Sequence, residues 1–231
     1  MIAEIRKSNS EDKARHTHPV RKPPASQYGN NRHIAYSPTL ERRLILGSDL
    51  EFDEWVRLEA ARKRYLCEQP ARVRVRLPEG PVTTVFDFWI QWDDGTEEYR
   101  EVKYSQDLQS GSRALRQIEA QQLFCRLHGF KHVVSTEETI RANPLYLDNW
   151  KRILNHLGMT SSIDLRSISN RLVRLLRSLG RCSIATLESA LSAFDPVLVR
   201  ASIYQLIHRG YLTAPLDSQQ LTASLFVEVK S

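Results

Sequence analysis

Residues 82–103 read VTTVFDFWIQWDDGTEEYREVK, and this stretch constrains the chain more than any other. Its first arm is apolar and β-branched, and Asp93-Asp94-Gly95 is a strong turn signal, so two strands joined by a tight turn are expected. Asp87 interrupts the apolar arm, and Glu101 opens a Glu-Val-Lys triplet in the other. Strand alternation puts Glu101 and Lys103 on one face and points Val102 into the core. Loop length decides where Asp87 falls. A three-residue loop with Gly95 in the left-handed conformation sets Asp87 opposite Glu101, and a two-residue Asp94-Gly95 turn sets it opposite Val102. In the first register two carboxylates and an ammonium converge. Like charges so close are costly unless a cation lies between them, and hard oxygen donors suit Mg²⁺ or Mn²⁺. The plainer alternative is an exposed hairpin with a charged, solvated face.

An Asp followed by Glu-x-Lys on neighbouring strands resembles the PD-(D/E)xK nucleases, with Phe86 in place of the usual Pro. The pattern is short and its spacing loose, so other features must carry part of the argument.

A chain of 231 residues, 41% apolar, can hold one large or two small domains. No apolar run reaches membrane-spanning length and the N-terminus lacks an apolar leader-like segment, so a cytoplasmic protein without a membrane partner is expected. Cys67, Cys125 and Cys182 are far apart and read as reduced thiols. His16 and His18 lie in a polar tail and read as solvated. The net charge of +6 is uneven: residues 1–36 carry seven Lys/Arg against three Asp/Glu, 37–160 eighteen against nineteen, and 161–231 eight against five. Basic ends around a near-neutral centre fit a grip on a polyanion outside the catalytic region, and also fit solubility alone.

Residues 1–36 read as a flexible basic arm in which Arg21-Lys22-Pro23-Pro24 could touch phosphate. A helix starts at Ser48. Ser48-Asp49-Leu50-Glu51 is a capping box, which explains Glu51 locally; the rival reading makes Glu51 a third carboxylate projecting toward the sheet. Asp53, Glu54 and Glu59 are expected as surface charges. A short strand covers 65–69. Arg72, Arg74 and Arg76 alternate with valines, as a DNA path or a solvated face. A helix over 113–128 ends at Gly129 with Leu115, Ile118, Leu123 and Leu127 inward, and Arg113 and Arg116 near its start could meet phosphates. Glu119 reads as a surface charge. A strand at 131–135 and helices from 136 and 145 follow, with Trp150 and Leu154 inward. The mixture predicts an α/β domain, a mixed sheet flanked by helices. Beyond 161, three helices and two strands look like a small winged helix. Its third helix offers Arg200, Tyr204, Gln205, His208 and Arg209 to DNA, while Arg171, Arg174, Arg177 and Arg181 mark one side of its first.

Taken together, Ser48-Asp49-Leu50-Glu51, Glu68-Gln69-Pro70, Phe86-Asp87-Phe88, Glu101-Val102-Lys103 and Val134-Ser135-Thr136-Glu137 before Asn143 resemble, in order and spacing, the TnsA endonuclease subunits of Tn-seven-type transposases. The resemblance covers about residues 37–160. It implies a restriction-endonuclease-like fold followed by the winged helix at 161–231, in a bacterial protein. It further implies Glu51, Asp87 and Glu101 as Mg²⁺ ligands, with Mn²⁺ as substitute, Lys103 as the catalytic lysine, and hydrolysis at transposon 5′ ends beside a TnsB-like transposase and a TnsC-like ATPase. Some relatives carry Gln where Glu101 stands, which leaves open whether its carboxylate or its backbone carbonyl is used. A stand-alone restriction or repair nuclease and a non-catalytic winged-helix regulator are the alternatives.

Overall fold

The computed structural model describes residues 14–21, 31–109 and 111–230; Lys22, Pro23 and Pro24 of the basic arm lie outside them. The chain runs through β1 (His33–Ser37), β2 (Arg42–Leu46), α1 (Asp49–Ala60), β3 (Tyr65–Glu68), β4 (Arg72–Leu77), β5 (Gly80–Val85), β6 (Phe88–Gln91), β7 (Glu97–Val102), α2 (Arg113–His128), β8 (Lys131–Ser135), α3 (Glu137–Ile140), α4 (Pro144–Met159), α5 (Arg166–Leu179), β9 (Cys182–Ser183), α6 (Ile184–Ala190), α7 (Pro196–His208), β10 (Leu212–Thr213) and β11 (Phe226–Val229). Its described residues divide into two compact units, one joining those up to Ile34 with those from Arg43 to Ala142, the other joining Ala35–Arg42 with those from Asn143 onward.

The first unit is mixed α/β. Its main sheet has the order β3-β6-β7-β8, antiparallel except where β8 runs parallel to β7, and α2 connects those two strands. β4 and β5 form a separate antiparallel ladder. The valines of β4 are buried and its arginines exposed, as the alternation requires. α2 covers β4, β5 and β8, and the core between them holds Phe86, Trp89, Tyr99, Ala120, Phe124 and Cys125. Ser112 caps α2 by accepting from Leu115 N (3.2 Å), and Gly129 closes it at φ 72°, where a side chain would be strained.

Four expectations are corrected here. The first arm of the central stretch is not one strand: β5 belongs to the ladder, β6 to the main sheet, and the chain crosses between them at Phe86-Asp87. Phe86, fully buried, holds that crossing in the core. In α2, Leu127 is 71% exposed and Gln121, Phe124 and Cys125 take the inward face instead, because the aromatic and the thiol fill the space over the sheet. Asp53, Glu54 and Glu59 are buried rather than on the surface. Each is matched to a cation: Asp53 to Arg141 (2.7 Å), Glu54 to Arg57 and Arg100, Glu59 to Lys63. Burial of charge without such partners would be prohibitive. Finally, the 14–21 stretch of the basic arm lies on the sheet. Arg15 makes a bidentate pair with Glu97 (2.6 and 2.7 Å) and lies over the Phe130 ring. His16 packs edge-on against Trp89 and Tyr99 and hydrogen-bonds the Tyr99 hydroxyl, so it is not a solvated tail residue. Burial lowers its pKa to about 4, which keeps the ring neutral.

In the second unit the three-helix region ends in a three-stranded antiparallel sheet of order β10-β11-β9. α4, read from the sequence as the last helix of the nuclease domain, groups here. Its buried Asn149 donates to the carbonyls of Leu216 and Gln219 and accepts from Leu221 N, all at 2.8 Å. α7 starts at Pro196 with Asp195 as its cap (2.8 Å to Val197 N) and is buried along most of its circumference. Tyr204 is 6% exposed and packs against His156, so its offer to a DNA groove is withdrawn: the ring is core. Arg200 is tied to Glu188 (2.7 Å) and the His208 ring stands against Trp150, while Arg209 is exposed and Gln205 half-buried. The arginines of α5 are exposed, and Ile168, Leu172 and Leu176 form its buried side. The three cysteines are buried free thiols. Among the described residues, no helix is long and apolar enough to cross a membrane.

Candidate active site

The β6–β7 hairpin has the three-residue loop. Phe88 pairs with Arg100 and Gln91 with Glu97, and Trp92 N donates to Thr96 O, leaving Asp93-Asp94-Gly95 as the turn with Gly95 at φ 84°. Counting back along this register puts Asp87 level with Glu101. Asp87 N donates to Arg100 O (3.0 Å), and its Oδ2 accepts from Val102 N (2.8 Å). Lys103 N is fixed by Ser135 O (3.1 Å), and its Nζ donates to Glu101 Oε1 (2.5 Å). Asp87, Glu101 and Lys103 therefore converge as the odd loop requires.

Glu51 both bonds at the start of α1 and lies near the carboxylate of Asp87. It takes part in capping α1, with Ser48 Oγ accepting from Glu51 N (3.1 Å) and its own Oε2 accepting from Gly47 N (3.0 Å), one residue before the cap rather than the cap's own N–H. It is also close enough to Asp87 and Lys103 to feel both charges.

Electrostatics set this cluster apart. Burial, then the charge of Asp87, push Glu51 up to about 7 and Glu101 up to about 8. Burial also raises Asp87, against the opposing pull of Lys103. Burial disfavours the Lys103 ammonium, but Glu101 and Asp87 outweigh it and leave its pKa raised. Carboxylates pressed together in a desolvated patch are the arrangement that a divalent cation relieves.

The donor chemistry fits Mg²⁺: oxygen donors, no thiolate and no imidazole. The spacing is looser than the three-ligand set implied by the resemblance, for among the described residues no three His, Cys, Asp or Glu side chains are grouped to hold an ion. Mg²⁺ usually keeps several waters and takes one or two protein carboxylates, so Asp87 with either neighbour satisfies its ordinary requirement.

Two glutamines missed in the sequence complete the site. Gln117 Nε2 donates to Glu101 Oε1 (2.7 Å) and the buried Gln121 Nε2 to Glu101 Oε2 (2.6 Å) and Thr84 Oγ1 (3.1 Å). Gln121 Oε1 faces His132 Nε2 at 3.3 Å, and burial lowers the His132 pKa to about 4. The signal was present: residues four apart share a helix face, and α2 follows the Glu-x-Lys strand directly. Replacing Gln121 by Leu should orphan a Glu101 oxygen and destabilise the fold by about 1–3 kcal/mol, read from the urea unfolding midpoint.

Of the arginines offered to DNA, Arg72, Arg113 and Arg116 line one cleft of about 520 Å³ bordered by Gln117, whereas Arg74 and Arg76 are exposed on β4 away from its lining. Glu119 is an exposed surface charge, as expected.

Residues 62–137 match the family model described as TnsA-like endonuclease N terminal. The central segment is similar to TnsA-like endonuclease domains. The match covers about a third of the 231-residue chain and takes in Asp87, Glu101 and Lys103, with Glu51 outside it. No curated protein matches the chain. The matched residues supply β3 to β8, so the strands that bring Asp87 to Glu101 and Lys103 all lie within them.

Proposed function

We propose that the chain is the DNA-cleaving subunit of a heteromeric transposase, hydrolysing phosphodiester bonds at the 5′ ends of a transposon with Mg²⁺ as cofactor. The observation that carries this is the hairpin register, which sets Asp87 level with Glu101, two residues before Lys103, inside a segment matching a TnsA-like endonuclease. Asp87, with Glu101 or Glu51 beside it, would hold the cation. When bound, Mg²⁺ supplies charge for a phosphoryl oxygen and lowers the pKa of a coordinated water. Gln117 and Gln121 fix the Glu101 carboxylate against rotation. Lys103, anchored through Glu101, presents its ammonium where negative charge builds on phosphorus, and orients the attacking water. Arg72, Arg113 and Arg116 line the approach for the DNA backbone, a contact that positions the strand without reading its sequence. A TnsB-like transposase then supplies end recognition and a TnsC-like ATPase the coupling to target DNA.

The C-terminal order α5-β9-α6-α7-β10-β11 supports a winged-helix reading, with the exposed arginines of α5, together with Gln205 and Arg209 of α7, available to DNA or to an acidic protein surface.

The test is strand-mapped cleavage of transposon-end duplexes by the purified chain in Mg²⁺, alone and with the TnsB-like partner. Cuts confined to 5′ ends and dependent on the partner are expected. Cutting by the chain alone would favour a stand-alone nuclease, and no cutting in either case would leave only the binding role.

Metal and pH should be linked. Glu51 and Glu101 have folded pKa values raised to about 7 and about 8 from 4.5. Their contribution to stability is therefore fully present below pH 4.5 and is lost as pH rises through 7 to 8 in metal-free protein. A cation needs these groups ionised, so the melting-temperature gain from Mg²⁺ should be small at pH 6 and larger at pH 8. A gain independent of pH would remove these carboxylates from the metal site.

A further inference from the structure

We propose that Arg21, on the N-terminal segment, is a substrate-phosphate ligand of the active site, carried there by a docked strap rather than by the nuclease fold proper. The proposal rests on the nuclease reading for the identity of the substrate and goes beyond it in assigning a residue outside the TnsA-like segment, which begins at residue 62.

Three observations place Arg21. It lines the same cleft as Arg72, Arg113, Arg116 and Gln117, and among the described residues no carboxylate lines that cleft. Gln117 also donates to Glu101, so the cleft opens beside the catalytic patch. Gln69, whose side chain accepts from Arg21 Nε (3.1 Å), donates its backbone N–H to Asp87 O (2.7 Å), which puts the guanidinium on the carboxylate side of the cleft.

The strap is held at both ends. Arg15 pairs with Glu97, which also accepts from Trp89 Nε1 (2.9 Å), and His16 bonds Tyr99. At the other end Gln69 acts as a staple. Its backbone N–H donates to Asp87 O (2.7 Å), its backbone O accepts from Val20 N (2.9 Å), and its side-chain Oε1 accepts from Arg21 Nε (3.1 Å). One residue thus links the metal-binding aspartate, the strap and its arginine. Gln69 is buried and adopts φ 44°, a left-handed conformation that a non-glycine residue holds only when its surroundings compensate. The single Nε bond to Gln69 leaves the two Nη groups to engage phosphate oxygens in a fork, as guanidinium geometry favours.

The test uses the full chain carrying Asp87→Asn, which prevents cutting, and measures anisotropy of a labelled transposon-end duplex across a salt series. Arg21→Ala in that background should weaken binding about tenfold and reduce the slope of log K against log salt by about 1, the loss of one phosphate contact. Arg21→Lys should recover the slope but only part of the affinity, since charge is kept and the fork is lost. In a chain with Asp87 intact, Arg21→Ala should slow cleavage by about tenfold or more. Wild-type affinity and slope in Arg21→Ala, or no duplex binding by the full chain, would overturn the proposal. So would a lowered melting temperature of the free protein with an unchanged slope, which would make Arg21 structural. Cutting by the Asp87→Asn chain would instead exclude that carboxylate from catalysis, and no cutting by the Asp87-intact chain would defeat the nuclease reading; either result leaves the salt series to judge Arg21 independently.

Discussion

Asp87→Asn should abolish strand cleavage, by about a thousandfold or more, while the protein keeps its fold. Asparagine has nearly the same shape, and its side-chain oxygen can still accept from Val102 N, the 2.8 Å bond that locks the crossing between β5 and β6. What it loses is charge at the position felt by both Glu51 and Glu101. Those two groups are raised in part by Asp87, so its neutralisation should lower both and leave the metal-free variant as stable as the parent, or more so, at pH 7.5. Asp87→Ala is the harsher change. It strands the buried Val102 N–H and should cost about 1–3 kcal/mol beside the lost activity. Cleavage and urea unfolding measured on both variants separate chemistry from folding. An active Asp87→Asn protein would exclude the carboxylate from catalysis.

The largest expected effect on stability lies on the opposite face of β7. Arg100 makes charge-assisted bonds to Glu54 of α1 and to Glu98 of its own strand, and both carboxylates are buried. Ser135 also donates to Glu54 (2.9 Å) and Lys131 pairs with Glu98 (3.0 Å), so α1, β7 and β8 share one network. Arg100→Met keeps much of the side-chain stem but leaves two acidic groups short of a cation in a desolvated place. Removing one partner from a buried pair typically costs about 3–5 kcal/mol. The pH dependence has a definite sign. Burial works against the Glu98 charge, yet Arg100 and Lys131 hold its pKa below the usual value. Its contribution is therefore present above the unfolded pKa near 4.5 and lost as pH falls through the lower folded value. The gap between wild type and Arg100→Met should be full at pH 7 and should narrow in acid. A gap below about 1 kcal/mol at pH 7 would mean that Arg57 and Lys131 suffice.

Much of this site was legible in residues 82–103 because strand geometry has a period of two and the turn leaves few registers. Asp93-Asp94-Gly95 held the choice between registers, and Gly95 in the left-handed region settles it. Helix boundaries were equally readable where capping chemistry is local, as at Ser48 and Gly129. What could not be read was tertiary. Asp53, Glu54 and Glu59 look like ordinary surface charges because their cations, Arg141, Arg100 and Lys63, come from other elements or the following loop. Tyr204 looks like a recognition-helix residue until α4 supplies His156 to cover it. The strap at 14–21 has the composition of a free tail, and only Glu97, Trp89, Tyr99 and Gln69, all distant in sequence, give it a place to dock. Gln117 and Gln121 carry no charge to attract notice, yet they hold both oxygens of Glu101.

Whether the carboxylates and Lys103 work as one catalytic unit is best decided by single-turnover cleavage of transposon-end DNA, in Mg²⁺ with the TnsB-like partner, by Glu101→Gln, Lys103→Met and the double variant. Groups that act together lose their effect together, so the double variant should be scarcely slower than the worse single one. Rate losses that multiply across the two substitutions would contradict a shared site.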